Sequence, residues 1–104
     1  MTIEQELEMF EKVCMEMTKT FASKRHDYGP TTEETFKKFG PVSMLTRMHD
    51  KLGRLDNLLV CCVQPEVRSE KVEDTLIDLA NYAIITLIEL RKADMERNKV
   101  IDRR

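Results

Sequence analysis

The chain has 104 residues, 35% of them charged, yet its formal net charge is only −2. That length supports one domain with a modest core, and the near balance of charge gives no general attraction to nucleic acid or to a membrane surface. No apolar run approaches the roughly 18 charge-free residues of a membrane helix, and the start MTIEQELEMFEK has neither the basic nor the apolar region of a signal peptide.

Thr2 to about Lys24 reads as a first helix. Thr2 with Gln5 resembles a capping box, and Ile3, Leu7, Phe10, Val13, Cys14, Met17 and Phe21 recur at helical spacing as its buried face. Glu4, Glu8, Glu11 and Lys12 make the solvated side. The run from Lys24 to Pro30 then reads as a break, with Gly29-Pro30 as turn punctuation. A short helix over 32 to 39 is pinned by Phe36 and Phe39.

Gly40-Pro41 ends that segment, and Pro41 suits the start of a second long helix, Val42 to about Val63. Its apolar face is Met44, Leu45, Met48, Leu52, Leu55, Leu59 and Cys62. Beside that face runs a charged row of Arg47, Asp50 or Lys51, and Arg54. Gln64-Pro65 ends the helix.

The stretch from Ser69 to Leu90 has no Gly and no Pro and reads as a third long helix, with Ser69 as N-cap and Glu70, Glu73 and Asp74 at its acidic start. Val72, Leu76, Leu79, Ala83, Leu87 and Leu90 form a core stripe, and Ile77, Ile84, Ile85 and Ile88 widen it. After Arg91 the chain either extends this helix or frays. The expected fold is all-α, a small bundle of three main helices and one short helix in a single domain over 1–104. The third helix is apolar on too many sides for a monomer to cover. Completion by a homo-oligomer is therefore expected, a dimer or larger, with Ile84, Ile85 and Ile88 near the contact.

Three polar groups fall on or beside this core: the Lys24–Tyr28 run, the Arg47/Asp50/Lys51/Arg54 row, and the Asp74/Asp78/Asn81 row. The short link at 64 to 68 makes the second and third helices antiparallel neighbours, so the cationic row could face the anionic one. Arg47, Lys51 and Arg54, with Lys24 or Arg25, offer cations for phosphates, Tyr28 a ring to stack on a base, and Asn81 an amide. Asp74 and Asp78, one turn apart, are candidate Mg²⁺ ligands. Asp78 lies among apolar residues and needs a cation, a metal or several donors. Arg47 with Asp50, or Lys51 with Asp74, could instead be ordinary ion pairs. The three cysteines are irregularly placed, with Cys61 and Cys62 adjacent, and fit reduced thiols in a cytoplasm. Zinc-ligand spacing is lacking.

KRHDYG, FGPVSMLTRMHDKLGRLDNLL and EKVEDTLIDLANYAI, in that order, resemble the nucleotide modification associated domain 1 family of phages and bacteria. The matching motifs are Asp27-Tyr28-Gly29, then Arg47-x-x-Asp50-Lys51-x-x-Arg54-Leu55, then Asp74-Thr75-Leu76-x-Asp78-Leu79-Ala80-Asn81-Tyr82, within a motif core over 24–90. The resemblance implies a role in nucleotide metabolism in a bacterial cell, phage-encoded or not. It also implies a distant similarity to the all-α nucleotide pyrophosphatases of the MazG and dimeric dUTPase type. Those enzymes hold Mg²⁺ with E-x-x-E and E-x-x-D helices, usually as oligomers. This chain departs from that cage. Thr75 stands three residues before Asp78, and Arg47, Asp50 and Arg54 stand where a Glu pair would be. Three readings follow. The first is a protein that binds, and could sequester, a nucleotide or cyclic nucleotide. The second is a Mg²⁺-dependent nucleoside triphosphate pyrophosphohydrolase. The third is a structural oligomer with no ligand.

Overall fold

The computed structural model describes residues 1–62, 64 and 71–102. All its regular structure among the described residues is helical: α1 (Ile3–Tyr28), α2 (Thr31–Phe39), α3 (Val42–Leu55), a π-helical segment (Asp56–Val60), and α4 (Val72–Asp102). The all-α expectation holds. The contacts divide the chain into two units, Met1–Thr32 and Glu33–Arg104.

In the first unit, α1 begins with the expected capping box. The Gln5 backbone N–H donates to Thr2 Oγ1 at 3.1 Å, and Thr2 N–H donates to Gln5 Oε1 at 2.8 Å. The helix does not stop at Lys24. Nothing in Lys24-Arg25-His26-Asp27-Tyr28 breaks a helix, and the stop comes at Gly29, whose φ of 61° is open to glycine at little cost. The Gly29 N–H donates back to the Arg25 carbonyl at 3.0 Å. No residue of α1 is buried. Its expected core face is a correction: Ile3 is 73% exposed and Phe10 71%, while Cys14 and Met17 are half-buried.

The second unit is built on α3 and α4 packed antiparallel, as the short link between them required. Pro41 precedes α3, and its carbonyl accepts from the N–H groups of Met44 and Leu45. The helix then widens by one residue per turn over Asp56–Val60, where the Cys61 N–H reaches the Asp56 carbonyl at 3.1 Å. Cys61 and Cys62 are exposed free thiols, and Cys62 has the left-handed φ of 56°. Val63, Pro65, Ser69 and Glu70 lie outside the described residues, including the expected N-cap. As described, α4 starts at Val72, and Asp74 Oδ2 accepts from the Lys71 N–H at 3.1 Å in the manner of a capping carboxylate. The charged tail extends the helix to Asp102 rather than fraying, with Asp94 and Arg97 paired one turn apart.

Among the described residues the buried apolar side chains are Phe36, Met44 and Leu55. Beside them are buried polar ones: Thr75, Asn81 and Glu89. The expected core stripe of α4 is therefore corrected. Leu76 and Leu87 are each 47% exposed, Leu90 43%, and Ala83 is exposed too, while Val72 and Leu79 are half-buried. The face of α4 turned to α3 carries Thr75, Asp78 and Tyr82 instead.

Candidate functional site: a polar ladder between α3 and α4

Three side chains of α3 meet three of α4. Arg54 Nε donates to Thr75 Oγ1 at 3.1 Å. Lys51 Nζ lies 3.0 Å from Asp78 Oδ2. The Arg47 guanidinium carbon stands 5.9 Å from the centre of the Tyr82 ring, within cation–π reach. Positions 54, 51 and 47 descend α3 by three and four residues while 75, 78 and 82 climb α4 by the same steps. Two antiparallel helices with seam residues every three and four positions mesh in this way. The rungs are polar, however. Thr75 is nearly inaccessible, and its hydroxyl proton goes to the Lys71 carbonyl at 3.2 Å, leaving the oxygen to accept from Arg54. Long aliphatic stems let Arg47, Lys51 and Arg54 supply apolar contact along the seam while their heads reach polar partners.

The sequence model of one family, described as nucleotide modification associated domain 1, matches residues 24–90. The chain belongs to that family. No curated protein matches it, and no solved structure does. The family match runs through α2, α3 and the first part of α4, so it encloses every rung of the ladder.

Within this nucleotide modification associated domain, the expected site residues separate into groups. Arg47, Lys51 and Arg54 do form one row facing α4. The alternative at 50 or 51 resolves to Lys51, since Asp50 is exposed and makes no rung. Asp78 has its cation, as its apolar neighbours demanded. Asp74 does not join it: it is exposed and spent on the Lys71 N–H. Asp74 and Asp78 share one face of α4 a turn apart, but each is engaged elsewhere, Asp74 by the Lys71 N–H and Asp78 by Lys51. No group of three or more His, Cys, Asp or Glu is placed to hold a metal among the described residues. Asn81 is buried but stands about 80° around α4 from the seam at 100° per residue, on the flank of Ile77, Ile84 and Ile88. Its Nδ2 has no hydrogen-bond partner among the described residues. Lys24, Arg25 and Tyr28 occupy the last turn of α1, not a loop, and belong to the other unit. All three are exposed, Tyr28 by 66%.

Two features escaped the sequence reading. Thr75 and Tyr82 are rungs, and their spacing from Asp78 carried the signal, since 75, 78, 82, 85 and 89 repeat every three and four residues. The second feature is Glu89, buried beside Lys92 Nζ at 3.0 Å, which also lies 3.8 Å from Glu33 of α2. Glu33 in turn pairs with Lys37 at 3.3 Å. These groups border a cleft of about 230 Å³ floored by Phe36. No described helix is long and apolar enough to cross a membrane.

Proposed function

We propose that this chain binds a nucleotide or cyclic nucleotide by its phosphates along the open edge of the α3–α4 ladder, and holds it intact. The carrying observation is the composition of the rungs. Arg47, Lys51 and Arg54 stand in one row on α3, opposite Tyr82, Asp78 and Thr75 of α4, in a seam that is only part-buried. Cations held half out of water on one helix face are pre-ordered for a phosphate, and a guanidinium fork can take two oxygens. The Tyr82 ring beside Arg47 extends the same surface with an apolar face for a base. Membership of a family associated with nucleotide modification supports this choice of anion. Sequestering such a ligand in the cytoplasm of a bacterial cell, with or without a phage, requires no chemistry from the protein.

Hydrolysis is the competing reading. It requires Asp74 and Asp78 to leave Lys71 and Lys51 for Mg²⁺, with Thr75 in the place of a further carboxylate. A thermal-shift panel of nucleotides, deoxynucleotides and cyclic dinucleotides, each with Mg²⁺ and with EDTA, separates the two. The binding reading expects a metal-independent rise in melting temperature and recovery of the ligand intact. Saturation at 100 times Kd is worth about 2.7 kcal/mol. A shift seen only with Mg²⁺, with ligand recovered as monophosphate, would establish the hydrolase. No shift with any ligand would leave the ladder as scaffolding.

A further inference from the structure

We infer that a second copy of this chain docks on the outer face of α4, antiparallel to the first. The face is Leu76, Ala80, Ala83, Leu87 and Leu90. It repeats every four and three residues and lies about 140° around the helix from the polar ladder. Leu76 and Leu87 are 47% exposed and Leu90 43%, while α4 turns Thr75, Asp78 and Tyr82 to its own α3. The helix is thus inverted relative to an ordinary surface helix, polar side in and apolar side out. A contiguous apolar strip of this kind marks a contact surface.

The pattern along the strip points to a copy of itself. In a two-fold antiparallel pair centred between Ala80 and Ala83, Leu76 of one protomer faces Leu87 of its partner, and Ala80 faces Ala83. The small central layers let the backbones approach closely, and the leucines close over both ends. The same pairing sets the exposed Glu73 at the start of one helix beside the exposed Arg91 toward the end of the other, twice by symmetry. A lone apolar strip would accept many partners. The stretch Leu76, Ala80, Ala83 and Leu87, whose halves match in size and whose flanking charges are opposite, is complementary to itself.

Light scattering on the whole chain at tens of micromolar tests this. The expected mass is twice the chain's 12.2 kDa. Leu87→Glu should return the monomer. Glu73→Arg and Arg91→Glu should each weaken association by about tenfold, because attraction becomes repulsion at two places. Combining the two should restore it. A monomeric parent chain overturns the proposal. So does a dimer indifferent to Leu87→Glu, or a double variant no tighter than either single one. An assembly larger than two counts in favour only if Leu87→Glu lowers its mass. If Leu87→Glu does not fold, the charge series decides alone.

Discussion

Lys51 Nζ and Asp78 Oδ2 are 3.0 Å apart, and each side chain keeps only about a quarter of its surface in water. Neither charge is fully solvated, so each depends on the other more than an exposed pair would. Removing either one takes a part-buried counter-charge away from the other. Lys51→Ala and Asp78→Ala should each cost about 1–2 kcal/mol, less than the 3–5 kcal/mol of a fully buried pair. Lys51→Met with Asp78→Leu should recover most of that loss. Urea unfolding of the parent chain, Lys51→Ala, Asp78→Ala and the double Ala variant closes the double-mutant cycle. A coupling indistinguishable from zero would mean the rung is solvated and adds nothing.

Thr75 is 2% exposed and carries two hydrogen bonds through one hydroxyl. Thr75→Val keeps the shape and deletes both. The expected cost is about 1–2 kcal/mol, because the Arg54 Nε rung is lost in a dry place. If the α3–α4 seam is the phosphate site, the same variant should also weaken nucleotide binding by releasing Arg54 from its fixed orientation. Retained stability alongside full binding would show that Thr75 does not organise the rung.

The sequence already held most of the helices and the facing of the Arg47/Lys51/Arg54 row toward α4, but not the rungs Thr75 and Tyr82, and it misassigned what α4 packs. On α4 two faces repeat every three and four residues: Thr75, Asp78, Tyr82, Ile85 and Glu89, and Leu76, Ala80, Ala83, Leu87 and Leu90. Hydropathy selects the second as core. The chain packs the first, because Arg47, Lys51 and Arg54 on α3 offer both stems and partners for it. Pattern alone has no means of weighing a satisfied ion pair against an apolar stripe. The helix end at Tyr28 was missed for a simpler reason. A run of charged residues does not break a helix, and the stop comes only at Gly29-Pro30.

Met44 has no exposed surface, and only Phe36 and Leu55 join it as buried apolar side chains among the described residues. So small a core depends heavily on each member. Met44→Ala should cost about 2–4 kcal/mol, the largest loss of any single truncation in α3. Met44→Leu, close in volume, should cost under about 1.5 kcal/mol. Chemical unfolding read by helical circular dichroism gives both values. Equal stability of the two variants would place the core elsewhere in the chain.

Asn81 is buried while its Nδ2 donor goes unanswered, and a group in that state costs about 1–3 kcal/mol. Structural residues rarely carry such a cost. Asn81→Leu removes the unpaired donor and matches the surrounding Ile77, Ile84 and Ile88 in character. Without ligand it should melt at or above the temperature of the parent chain. If the amide answers an acceptor on a bound nucleotide, the same variant should lose most of the ligand-induced shift. The two effects run in opposite directions, so one thermal-shift series with and without nucleotide reads both. A variant that melts lower in the absence of ligand would show that the amide is satisfied within the fold, and Asn81 would then leave the list of ligand-reading residues.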